Sequence, residues 1–197
     1  MSRKFRLTFR KKIMGLAVLL LLVIAAVCGR QALYRGAVKG WRYAFGRPGR
    51  YQPLIAAAAE RHGVDSRLIY AVIAKESGFN ADSIGGVGEI GLMQIRPNTA
   101  AADWAQAHGV AVPVPGVLFN PELNIEIGTW YLARAIQRWR QYDHGLELAL
   151  CQYNAGESKA REWSPDTYDG ELKPISYPTT RQYVGEIMKH YRKLKEN

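Results

Sequence analysis

A chain of 197 residues is long enough for one globular domain and a short appendage. Its formal charge of +10 is unevenly spread. Residues 1–50 hold twelve Lys and Arg and no acid, while the other fifteen basic residues are outnumbered by seventeen acidic ones. The positive excess belongs to the N-terminal segment, so the high pI gives no reason to assign nucleic-acid binding to the folded part.

The first element is an apolar run. Residues 13–28 carry no charge and no strongly polar side chain, and Arg3, Lys4, Arg6, Arg10, Lys11 and Lys12 precede them. As a helix the run spans roughly 24 Å, slightly short of a hydrocarbon core of about 30 Å. A basic stretch followed by an apolar one reads as a signal peptide or an uncleaved anchor. The small-residue cleavage pattern around Ala25, Ala26 and Val27 is poor, which favours one N-terminal transmembrane helix. The flanking positive charge, denser before the run than after it, places residues 1–12 as a cytoplasmic tail. Residues 29–50 read as a basic linker, broken by Gly46, Pro48 and Gly49. Cys28 and Cys151 make no disulfide framework and are expected to be free.

From residue 51 the pattern is helical. Pro53 opens and Gly63 closes a helix over 53–62. Asp65 or Ser66 caps a second helix, ending near Ser77. Its apolar stripe is Leu68, Ile69, Val72 and Ile73, and Glu76 falls on the same face. Residues 78–95 are glycine-rich and read as a loop or short hairpin. Further helices are predicted over 97–108, from Asn120-Pro121 to about Tyr142, over 146–154, onward to about Trp163, and over 179–195. Convincing strands are nearly absent, so the domain over 51–197 is mainly α.

Glu76 is the candidate for chemistry. A carboxyl on a buried face is costly unless it stays protonated or finds a partner, and a raised pKa is what a general acid needs. Three motifs follow in order: Glu76-Ser77-Gly78-Phe79, then Gly91-Leu92-Met93-Gln94-Ile95-Arg96-Pro97-Asn98-Thr99-Ala100, then Gln152-Tyr153-Asn154-Ala155-Gly156. Asn120-Pro121, Asn124-Ile125, Gly128, Tyr131-Leu132 and Arg181-Gln182-Tyr183-Val184 complete the set. Together they resemble the soluble lytic transglycosylase family, over about residues 55–190.

The resemblance implies a lysozyme-like helical catalytic domain with a short loop or hairpin lobe, acting on bacterial peptidoglycan without a cofactor. It implies that Glu76 is the single acid and base, first protonating the glycosidic oxygen. The substrate's N-acetyl group then supports C1, and the Glu76 carboxylate takes the C6 hydroxyl proton as a 1,6-anhydro ring closes. Ser83, Met93, Gln94, Tyr153, Asn154 and Tyr183 match family positions near the substrate or the acid. A peptidoglycan substrate further implies an inner-membrane anchor with the catalytic domain in the periplasm, and leaves any cell-envelope machinery partner unnamed.

Two alternatives stay open. Glu89, two residues before Gly91, either caps a turn or faces solvent, which is preferred, or enters the cleft as a second carboxylate that positions water for hydrolysis. The domain can also be read as a peptidoglycan-binding module without turnover. His62, His108, His144 and His190 are isolated and show no metal-ligand spacing. Of Trp104, Trp130, Trp139 and Trp163, most are expected in the core and one or two as sugar platforms.

Overall fold

The computed structural model describes residues 48–196. The basic tail, the apolar run over 13–28 and most of the linker lie outside them. Among the described residues no helix is long and apolar enough to cross a membrane.

Among the described residues, seven α-helices follow a short 3-10 turn, Pro48–Tyr51. They are α1 (Gln52–His62), α2 (Ser66–Glu76), α3 (Ala102–His108), α4 (Pro121–Trp139), α5 (Gly145–Ala155), α6 (Glu157–Trp163) and α7 (Pro178–Glu196). Local signals set most of the boundaries. Gly63, at φ 64°, ends α1 in the left-handed conformation that glycine adopts without strain. Asp65 caps α2 by accepting the Arg67 N–H at 2.9 Å. Asn120 caps α4 by accepting the Leu123 N–H at 3.0 Å, with Pro121 at the first helical position.

Two expectations are corrected in detail. The helix read over 97–108 begins as a π-helical turn, Pro97–Ala101, before α3. Helix α4 stops at Trp139 rather than Tyr142, because the Tyr142 N–H returns to the Trp139 carbonyl and closes a turn. A 3-10 turn, Pro115–Phe119, occupies part of the stretch between α3 and α4. Residues 78–95 contain only isolated antiparallel bridges, Ile84 with Ile90 and Ile90 with Ile95. This is the loop or hairpin lobe that the glycine content suggested.

Helix α5 is central. It packs against α4, α6 and α7, and Leu148, Ala149, Leu150 and Cys151 along it are fully buried. Burial pushes the Cys151 thiol up to about 12, so this free cysteine is inert at physiological pH. Helix α7 lies across α2 and is tied to it at both ends. Tyr191 donates to Asp65 at 2.9 Å at one end and Tyr183 donates to Glu76 at 2.6 Å at the other. Between them Lys75 pairs with Glu186 at 2.6 Å. The Arg67 side chain holds the Asp65 carboxyl down at about 2, so that end of the clamp stays charged in ordinary buffers.

Candidate active site

The α2 stripe of Ile69, Val72 and Ile73 is fully buried and carries Glu76 into the edge of the core at the helix's last residue. The helix cannot continue. Gly78 and Phe79 take φ values of 58° and 64° in succession. For a bulky residue such as Phe79 that conformation is strained. Phe79 is held in it by packing: it is buried, stacked on Tyr51 and tilted against Tyr70 at a centroid distance of 4.6 Å. The Ser77 hydroxyl donates to the Leu92 carbonyl at 2.9 Å and fastens the helix end to the Gly-Leu-Met-Gln segment.

That segment is organised by one buried side chain. Asn124 of α4 accepts the Met93 N–H at 2.8 Å and donates to the carbonyls of Ile90 and Leu118, each at 2.8 Å. Gly91, at φ 80°, leaves the space this requires, because a Cβ there would collide with the Asn124 amide. Gly128 does the same for Met93, whose sulfur would lie 2.5 Å from a Cβ at that position. Gln94 has a positive φ of 50°, and its amide nitrogen donates to the carbonyls of Gly91 and Ser83 at 2.8 and 3.3 Å.

The result is a cavity of about 440 Å³. Glu76, Gly85, Gly86, Glu89, Gln94, Arg96, Thr99, Tyr131, Tyr153 and Asn154 contribute to its lining. Glu76 is half-buried there, and desolvation pushes its carboxyl up to about 7. The hydrogen bond from Tyr183 opposes that shift, the nearby negative charge of Glu89 adds to it, and the Lys75 charge weakens it. Tyr183 and Tyr153 are both driven well above the ordinary phenol range, by burial first and then by the Glu76 charge, so both remain hydroxyl donors.

The structure sorts the expected residues into groups. Glu76, Gln94, Tyr153 and Asn154 meet at the cavity, and Tyr183 reaches Glu76 directly. The Tyr153 hydroxyl is committed to the Met93 carbonyl at 2.9 Å, and Asn154 accepts from Thr180 at 2.8 Å. Ser83 is not in the lining. It serves through its backbone carbonyl, which accepts from Gly91 and Gln94, and Gly85 and Gly86 form the wall near it. Met93 is also corrected: its side chain is fully buried against α4, so packing is its role. Glu89 combines two readings that seemed exclusive. Its carboxylate accepts the Val87 N–H at 3.1 Å, a turn cap, and it also lines the cavity.

The four tryptophans read as core or platform are absent from the lining, whose aromatic members are Tyr131 and Tyr153, 5.8 Å apart in a T-shaped contact. Thr99, Gly85 and Gly86 join the lining, and Asn124 makes its three bonds, without any role expected for them from sequence. One signal for Asn124 was available: it sits on the α4 face that also carries Ile127 and Gly128, where a buried amide must have partners.

A family model described as the Transglycosylase SLT domain matches residues 53–175, more than half of the chain. A membrane-bound lytic murein transglycosylase C of Edwardsiella ictaluri is 40% identical over 173 residues, covering 76% of this chain and 48% of that protein. The protein of the same name from Serratia proteamaculans is 41% identical over 88 residues, 44% of this chain and 25% of its own length. This chain therefore spans about half, or less, of these relatives. Among solved structures, an inactive mutant of the lytic transglycosylase Slt from Pseudomonas aeruginosa superposes with a TM-score of 0.63 at 29% identity, covering 74% of this chain and 24% of that one. The 70 kDa soluble lytic transglycosylase of Escherichia coli gives 0.63 at 28% identity over the same shares. The helical order, the cavity beside Glu76 and these matches agree: the chain belongs to the SLT transglycosylase family and has its lysozyme-like fold.

Proposed function

We propose that this protein is a peptidoglycan lytic transglycosylase that cleaves the β-1,4 bond between N-acetylmuramic acid and N-acetylglucosamine. The observation that carries this reading is a cavity carboxyl, Glu76, held near neutrality by burial and oriented by the Tyr183 hydroxyl.

A pKa of about 7 suits a group that must give a proton and then take one. Protonated Glu76 donates to the glycosidic oxygen as the C1–O bond breaks and its electrons pass to the leaving sugar. The substrate's own N-acetyl carbonyl supports the positive charge at C1. Glu76, now a carboxylate, removes the proton from the C6 hydroxyl, and that oxygen closes on C1 as a 1,6-anhydro ring. Glu76 ends protonated and no water is consumed. Tyr183 fixes one carboxyl oxygen throughout. Tyr153 holds the Met93 carbonyl, and Gln94 and Asn154 face the sugar from the cavity wall.

We further assign residues 51–197 as the catalytic domain, residues 13–28 as a single-pass inner-membrane anchor and the domain's compartment as the periplasm. The apolar run and its basic flank support the anchor, as do relatives that carry "membrane-bound" in their names.

The test is release of soluble fragments from purified sacculi by the wild type and by Glu76→Gln. General acid–base catalysis contributes about 10²- to 10⁴-fold, so the variant should lose turnover by about that factor while still sedimenting with sacculi. Equal inactivity of both proteins, with both bound, would favour a binding module. Glu89 supports a second reading, hydrolysis, because it lines the same cavity and its charge reaches Glu76. That reading requires products ending in a reducing sugar and a dependence on the Glu89 carboxylate.

A further inference from the structure

The acid–base chemistry leaves one charged part of the cavity unused. Arg96 is exposed and lines the cavity together with Thr99 and Tyr131. Among the described residues, Arg96 is the one cation in that lining, where the other charged groups are the carboxyls Glu76 and Glu89. Arg61, Arg67, Arg138 and Arg161 each pair with a carboxylate. Among the described residues, no hydrogen bond or ion pair occupies the Arg96 guanidinium, the Thr99 hydroxyl or the Tyr131 hydroxyl. Both Arg96 and Tyr131 line the cavity, and the Arg96 charge reaches the Tyr131 hydroxyl after burial and the charges of Asp103, Arg134 and Glu157.

The base of the Arg96 side chain is rigid. Its carbonyl accepts the N–H groups of Thr99 and Ala101 at 3.3 and 3.2 Å, and Pro97 follows it at the start of the π-helical turn. A guanidinium carried on a fixed backbone, in a lining that also holds two unpartnered hydroxyls, suits a planar anion, which it binds through parallel N–H bonds. The sugars of a peptidoglycan strand carry neutral hydroxyl and N-acetyl groups. Their negative charge is carboxylate, either on a peptide stem or, where the stem has been removed, on the lactyl ether of the muramic acid.

We propose that Arg96, with Thr99 and Tyr131, forms a carboxylate-recognition site that selects strands by the acid group carried on the muramic acid side chain. This inference rests on the peptidoglycan reading above. It assigns the cavity a basis for choosing among strands that share one glycan backbone.

Binding to soluble strands tests it, with full-length Glu76→Gln as the parent so that turnover does not intervene. Three preparations separate the sources of charge: strands whose stems bear free carboxylates, strands whose stem carboxylates are amidated, and strands stripped of stems by an amidase, which bear the lactyl carboxylate. Adding Arg96→Gln should weaken binding about tenfold, equivalent to about 1.4 kcal/mol, to at least one carboxylate-bearing preparation. The amidated strands should bind both proteins equally, and Arg96→Lys should recover part of the loss. Loss confined to stem-bearing strands assigns the stem, and loss confined to stripped strands assigns the lactyl group. Equal affinity of parent and Arg96→Gln for all three, or an equal loss on amidated strands, overturns the site. A parent that binds no preparation at all overturns the peptidoglycan reading, and the site falls with it. Because Arg96 is exposed and unpaired, unchanged thermal unfolding of the variants serves as the folding control.

Discussion

The two walls of the cleft are built on different principles. The helical wall, α2 against α7, follows from periodic apolar stripes and places Glu76 within 2.6 Å of Tyr183. The loop wall, residues 78–95, has only isolated bridges and is held by side chains reaching back to its carbonyls and amides: Asn124, Gln94, Ser77 and Tyr153. In the proposed mechanism the helical wall carries the proton, and the loop wall fixes the shape into which it is delivered. A defect in one should therefore look unlike a defect in the other.

The largest effect should come from the helical wall. Glu76→Gln should remove turnover, and it should also stabilise the fold at alkaline pH. The Glu76 pKa is about 7 in the folded state against an ordinary 4.5. The folded protein thus binds the proton more tightly than the unfolded chain, and stability declines as pH rises from 4.5 to 7. At about pH 8 the variant should exceed the wild type by about 1–3 kcal/mol in denaturant unfolding, a gap that closes at or below the unfolded-state pKa. A variant less stable than the wild type at pH 8 would contradict a carboxylate penalised by desolvation.

Next comes the loop wall. Asn124→Ala breaks three hydrogen bonds at once and strands buried backbone groups, which should lower stability by about 2–5 kcal/mol. Turnover should fall while the pH profile of the remaining activity moves by less than about one unit, because Tyr183 is untouched and the Glu89 charge on the loop is a minor influence on Glu76. A larger shift in this variant would erase the distinction between the walls.

Tyr183→Phe is the complementary test. The lost hydrogen bond favours the carboxylate form, so the alkaline limb of activity should move upward in pH, with turnover reduced about tenfold. Glu89→Gln should have the smallest effect. Removing a like charge makes Glu76 easier to ionise, so the alkaline limb should move down by less than about one unit. Opposite shifts in these two variants would place Glu76 between a donor on the helical wall and a repelling charge on the loop wall.

The same division explains what the sequence made legible. Helix order, the caps at Asp65 and Asn120, and the inward placement of Glu76 follow from local periodicity and turn chemistry. The path of residues 78–95 does not, because it depends on contacts from α4 and α5. That is why Ser83 reads as a sugar contact when its carbonyl is what the loop uses, and why Met93 reads as cleft-lining when Gly128 opens a slot in the core for it. Tyr153 and Tyr183 are both identifiable near the acid, but only three-dimensional packing decides which donates to it. The π-helical start at Pro97 likewise has no periodic signature distinct from an ordinary helix.

In the proposed mechanism Glu76 acts alone, as acid and then as base. Mass analysis of the glycan ends released from sacculi tests it most directly. Wild type and Glu89→Gln should both release strands ending in 1,6-anhydro-N-acetylmuramic acid, lighter by one water than the reducing form. Release of reducing-end products by the wild type, and their loss in Glu89→Gln, would contradict it.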